Sequence, residues 1–176
     1  VVLNNLEQVS KIAETKGATI TDIPSSTSFE KLADIQTVIM LGDAAKALEW
    51  EYEFHPERLI QFYKDSIATG QTISTKGLAA MKSKADAARE KYMELFEKID
   101  IILTLSSGDE APKGLGFTGD PLFNRVWTLL GWPCVNIPFG KGSNELPLGV
   151  QVIGPAGSDS QTLAAAAWLE SALLQK

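Results

Sequence analysis

The stretch Asp100–Gly154, DIILTLSSGDEAPKGLGFTGDPLFNRVWTLLGWPCVNIPFGKGSNELPLGVQVIG, decides how the chain folds. Asp100 to Leu105 is apolar enough for a strand buried on both faces. A loop crowded with small residues follows, through which backbone can approach a ligand closely. Asp120-Pro121 then opens a short helix from Phe123 to Leu130, with Asp120 as cap and Pro121 in the first turn. Cys134 to Pro138 and Leu148 to Ile153 are two further apolar runs. The turn-rich FGKGSNELP between them predicts that they pair.

Helices to cover such a sheet are legible on both sides. Val2, Leu6, Val9 and Ala13 make one stripe over Val1 to Lys16, and Gly17 is a plausible stop. Ala18 to Pro24 is rich in β-branched residues and predicts a short strand. Helical spacing returns from Ser28, a candidate N-cap, to about Trp50, through Phe29, Leu32, Gln36, Ile39 or Met40, Asp43 and Ala47. Pro56 suits the first turn of a helix reaching about Ala68, and Gly70 and Gly77 bracket a break. Leu78, Met81, Ala85, Ala88, Tyr92, Leu95 and Ile99 form the clearest amphipathic stripe, with charged residues on a solvated opposite face. Ser158 or Asp159 caps a closing helix, Gln161 to Leu174. The expected fold class is therefore α/β, helix-rich with a small mixed sheet. It forms one segment, 1–176, mostly helical over 1–99 and strand-loop-helix-strand-strand-helix over 100–176.

Composition narrows the partners. The net charge of −6 argues against nucleic acid and against anionic membranes. No apolar run approaches the roughly 20 residues of a spanning helix, and no secretory signal is visible. Cys134 is the only cysteine and His55 the only histidine. One thiol makes no intrachain disulfide, which fits a reducing, cytoplasmic setting. One Cys and one His build no usual zinc site, so neither metal nor cofactor is expected.

Candidate chemistry is thin by the same measure. Ser106-Ser107-Gly108 follows a buried strand but lacks the flanking glycines of a nucleophile elbow, so loop serines bonded to their own backbone are expected. Asp109 and Glu110 are neighbours that point apart, and are expected to be solvated loop charges. Cys134 reads as a core residue, and His55 as a helix-boundary residue. The run Thr118 to Thr128 is richer. Gly116 and Gly119 permit close approach, while Asn124 and Trp127, at i and i+3, offer an amide beside an aromatic wall. The plainer alternative is a capped helix whose Trp127 is core.

These elements in order resemble the C-terminal half of amidase signature enzymes. The matching positions are Ala111-Pro112, Asn124, Gly131-Trp132-Pro133, Pro138, the run Pro147 to Gly154 and Asp159. The resemblance is strong from Asp100 onward and looser but collinear before it. It implies a hydrolase of amide carbon–nitrogen bonds. In that family a serine attacks the carbonyl, a second serine on a cis peptide relays its proton, and a lysine acts as base. Those residues belong to a Gly/Ser-rich signature in the family's first half, which this sequence does not contain. Leu105 also stands where the family usually ends the strand in proline. The resemblance thus assigns no catalytic residue here, and makes Thr118, Gly119, Asp120, Asn124 and Trp127 the candidate contacts to a small amide substrate. The expectation is a C-terminal segment of an amidase, silent alone, whose open edge or apolar patch would be covered by self-association or by an N-terminal half. The alternatives are a non-catalytic binding or scaffold module, or part of one subunit of an amidotransferase.

Overall fold

A computed structural model describes residues 1–23 and 29–175 of the chain. Three strands, β1 (Ile102–Leu105), β2 (Cys134–Lys141) and β3 (Pro147–Ile153), form a sheet of order β1-β3-β2. Both pairings are antiparallel, with Ile102 opposite Ile153, Leu105 opposite Val150, and Cys134 opposite Ile153. The small sheet is therefore present, but it is antiparallel rather than mixed. β2 and β3 are a hairpin, and β1 joins the far side of β3 running against it.

β3, in the middle, is the most buried strand. Val150, Val152 and Ile153 are fully buried, each worth about 1.5–3 kcal/mol in burial. Side chains alternate across the sheet, so the strand feeds two cores. Val150 and Val152 pack with Val9 and Ala13 of α1 (Val2–Thr15), and with Ala166, Leu169 and Leu173 of α7 (Asp159–Leu174). Ile153 faces the other way, into a cluster with Ile102 and with Val126, Trp127 and Leu130 of α6 (Leu122–Leu130). α2 (Glu30–Ala47), α4 (Gln61–Gln71) and α5 (Thr75–Met93) build that second layer outward, α2 packing on α4, α5 and α6.

Two helix ends follow directly from glycine. At α1, Gly17 is left-handed (φ +100°), its N–H bonding Glu14 O at 3.0 Å and that of Ala18 bonding Ala13 O at 3.0 Å. At α6, Gly131 (φ +69°) donates to Thr128 O at 3.3 Å, and Trp132 donates to Trp127 O at 3.1 Å. Both are Schellman stops, which need a residue tolerant of positive φ at that position.

Elsewhere the structure corrects the expectations. Residues 18–23 form no strand, because β-branched composition favours a strand only where a neighbouring strand packs against it. Pro24 and the proposed cap Ser28 lie outside the described residues. The helix expected to reach Trp50 is split at Leu48 (φ −109°, ψ 16°) into α2 and α3 (Glu49–Phe54). Pro56 starts only a 3-10 turn, Pro56–Arg58, and α4 begins at Gln61. Gly70 and Gly77 do flank the break between α4 and α5. Gly70 is itself buried inside α4, where an added Cβ would lie 2.1 Å from Leu41 O, so it permits the α2–α4 crossing. Gly77 opens α5, donating its N–H to the Ser74 hydroxyl at 3.1 Å. The stripe from Leu78 ends earlier than expected, with Glu94–Glu97 already 3-10. No helix among the described residues is long and apolar enough to cross a membrane.

Candidate functional site

The segment between β1 and α6 carries Thr118, Gly119 and Asp120, α6 itself carries Asn124 and Trp127, and both ends of the segment are fastened to the sheet. Gln151, in the middle of β3, is 2% exposed. Its Nε2 donates to Leu105 O at 2.7 Å and to Phe123 O at 2.8 Å, tying the end of β1 to the first turn of α6. The Ser106 hydroxyl donates to Gly149 O at 3.0 Å, and Asn124 Nδ2 donates to Ser106 O at 3.3 Å. Polar side chains thus satisfy backbone carbonyls where the chain leaves the sheet.

A third tie comes from Glu110. Its Oε1 accepts from Asn144 N at 2.8 Å, from the Asn144 side-chain amide, and from the Ser143 hydroxyl at 3.3 Å. Its Oε2 accepts from Leu146 N at 3.1 Å. Burial pushes this carboxyl up, but the bonds from Asn144, Leu146 and Ser143 outweigh it and hold the group below the usual carboxylate range. Glu110 is therefore not a free solvated charge. Asp109 is the more local of the two, its Oδ1 accepting the Glu110 N–H at 2.8 Å.

Between these ties residues 111–118 are exposed, and among the described residues 111–119 make no hydrogen bond to the sheet. Thr118 and Asp120 are exposed, and Gly119 is half-buried with φ +104°. Asp120 Oδ1 accepts Leu122 N–H at 2.9 Å, with Arg125 at 4.0 Å, but it stands one residue ahead of the expected place, since Pro121 takes the cap position and not the first turn. Asn124 stands exposed on the same side. Trp127 does not join it. That ring is buried, stacked on Trp132 at 5.9 Å and edge-on to Phe29 at 5.3 Å. The stack is the apolar contact that accompanies the Schellman stop, between the residues at its two ends. Thr118, Asp120 and Asn124 are therefore solvent-exposed and Gly119 half-buried, whereas Trp127 belongs to the core.

The other nucleophile candidates are occupied differently. Ser107 donates to its own loop, to Asp109 O at 2.7 Å, as the sequence predicts, whereas Ser106 donates across to Gly149 O of β3. Cys134 is exposed, not buried in the core, because β2 is an outer strand. Desolvation nevertheless pushes its thiol up to about 11, the wrong direction for a nucleophile. His55 sits at the boundary of α3, 3.5 Å from Glu57 and edge-on to Trp50. Among the described residues no group of three His, Cys, Asp or Glu side chains could hold a metal. Two clefts, about 160 Å³ beside Gly42 and Gly70 and about 550 Å³ beside Ile23 and Leu95, are lined by no residue of the loop.

Sequence reasoning missed Gln151 and Glu110 as the residues that place this loop. Gln151 had a local signal, since it is the one polar side chain in the run from Val150 to Ile153. Glu110 had none, because its partners lie 33 to 36 positions away.

Comparison with known proteins gives this arrangement its context. The family model described as Amidase matches residues 4–163. The fatty acid amide hydrolase of Medicago truncatula is 29% identical over 119 residues, 61% of this chain and 20% of that protein. A glutamyl-tRNA(Gln) amidotransferase subunit of Wolinella succinogenes is 34% identical over 92 residues, 48% of this chain and 20% of that protein. A crystal structure of an amidase superposes with a TM-score of 0.88 at 22% identity, covering 98% of this chain and 42% of that one. The chain spans a quarter or less of the length of these curated relatives.

Proposed function

Because the chain belongs to the amidase family, we propose that it is part of an enzyme that hydrolyses amide carbon–nitrogen bonds, and that it supplies the pocket wall. Thr118, Gly119, Asp120 and Asn124 contact the substrate, and Trp127 supports them from the core. In such a reaction water's oxygen ends on the acyl carbon, the C–N bond breaks, and the amine leaves with a proton. The groups that attack and move that proton are not supplied by this segment, which alone is catalytically silent.

The observation that carries this reading is the loop itself: exposed and rich in small residues, yet fastened at both ends by Ser106, Glu110, Asn124 and Gln151. A fixed, accessible loop suits substrate recognition. The two serines nearest to it support the catalytic half of the proposal, since each hydroxyl donates to a carbonyl that cannot take its proton. Titration of the isotope-labelled chain with benzamide tests the wall. Amide signals of Thr118, Gly119, Asp120 and Asn124 should shift together, with no ammonia released. No shift in this group at millimolar benzamide refutes it.

The 34% identity to one subunit of an amidotransferase supports a second reading, in which ammonia passes to a partner protein instead of leaving. A stable complex with a second gene product, isolated from cells at native abundance, would distinguish the two.

A further inference from the structure

From the hydrogen bonds around Glu110 we infer that this residue is a positioning residue for the pocket, latching the loop to the β2–β3 hairpin so that the hairpin sets where Thr118 and Gly119 stand. The inference rests on the pocket-wall reading.

A carboxylate is what the hairpin turn demands. The turn aims four donors outward, three at one oxygen and one at the other. A carboxylate has two acceptor-only oxygens to meet them, whereas a glutamine would turn its own N–H₂ toward one set. The turn is shaped around this guest. Gly142 leaves it room, since a Cβ there would lie 2.3 Å from Glu110 Oε2. Glu145 takes a left-handed conformation (φ +65°), and the turn closes through Gly142 N–H to Leu146 O at 2.9 Å. A non-glycine residue at positive φ is uncommon and needs surrounding support. Here the support includes backbone bonds to Glu110 on either side of it, from Asn144 and Leu146.

The latch also sits where it has leverage. Ser106 fixes the loop at its start, and Asp120 fixes it at α6. Glu110 is the last tie before the exposed span 111–118, so it anchors the first part, 107–110, of what would otherwise be one long free loop. Losing it adds the whole segment from Ser107 onward to the mobile length.

The test compares the wild-type chain with Glu110→Gln and with Gly142→Ala, which unseats the carboxylate from the hairpin side. Backbone order parameters are measured across residues 111–120, and benzamide affinity is measured on each protein. In both variants Thr118 and Gly119 should fall from rigid-backbone values to below about 0.6, and benzamide should bind at least about fivefold more weakly. If only Asn144 and Leu146 loosen, with Thr118, Gly119 and affinity unchanged, Glu110 is a local staple and the inference is wrong. Absence of benzamide binding to the wild type would instead remove the pocket reading, and the inference with it. The unfolding midpoint of each variant identifies a loss caused by misfolding, and the variant that stays folded decides.

Discussion

Replacing Gln151 by methionine removes two hydrogen bonds and little else. The side chain is 2% exposed, and methionine keeps its length and unbranched shape. What disappears is the Nε2 donor to Leu105 O at 2.7 Å and Phe123 O at 2.8 Å. At about 1 kcal/mol net for each bond, the loss is about 2 kcal/mol. With a urea slope of about 2 kcal/mol per molar, the unfolding midpoint should fall by about 1 M. Equilibrium unfolding followed by Trp fluorescence measures this directly, because Trp127 and Trp132 lie in the adjoining core. Gln151→Glu should be worse, since it offers no donor and buries a charge. A midpoint change below about 0.3 M for the methionine variant would show that neither bond contributes as argued.

Three other outcomes follow from the same geometry. Gly70→Ala forces a methyl into Leu41 O and Ala45 Cβ, and should cost about 1–3 kcal/mol by overpacking, read as a lower unfolding midpoint. Glu110 has a folded-state pKa below its unfolded one. Its stabilisation is therefore complete above the ordinary carboxylate range and lost as pH falls through the folded value. The midpoint gap between wild type and Glu110→Gln should then close as pH falls below the ordinary carboxylate range, and a gap that widens on acidification contradicts the latch. Asp109 and the Lys141–Glu145 pair, 3.0 Å apart, are the neighbouring charges to control by substitution. Cys134, with its thiol near 11 against an ordinary 9.0, carries about a hundredfold less thiolate at mildly alkaline pH. Iodoacetamide should alkylate it correspondingly more slowly than free cysteine, and an equal rate refutes the desolvated environment.

The sequence made the strands, α6 and α7 legible because each is a local pattern: an apolar run, a cap, a turn. It failed where the outcome was set at a distance. The β-branched run from Ala18 met no strand to pair with among the described residues. Gly70 and Gly77 do flank the break between α4 and α5, but only the position of Leu41 explains why a glycine stands at 70. Cys134 looked like core because free cysteine usually is, yet its strand is at the sheet's edge. The place of Trp127 is decidable from the sequence. Gly131 as a left-handed stop places Trp132 five residues after Trp127, the spacing at which a Schellman motif brings its two apolar ends together. The site surface was legible only through the family resemblance, and the carboxylate that holds it only from the fold.

The central claim is that this chain walls an amide pocket without supplying the serine that cuts. Intact mass spectrometry after incubation with a fluorophosphonate tests it most directly, because that reagent bonds to a serine whose proton a neighbouring base can take. The account predicts an unchanged 19.0 kDa species. A one-to-one adduct mapped to Ser106 or Ser107 would contradict it.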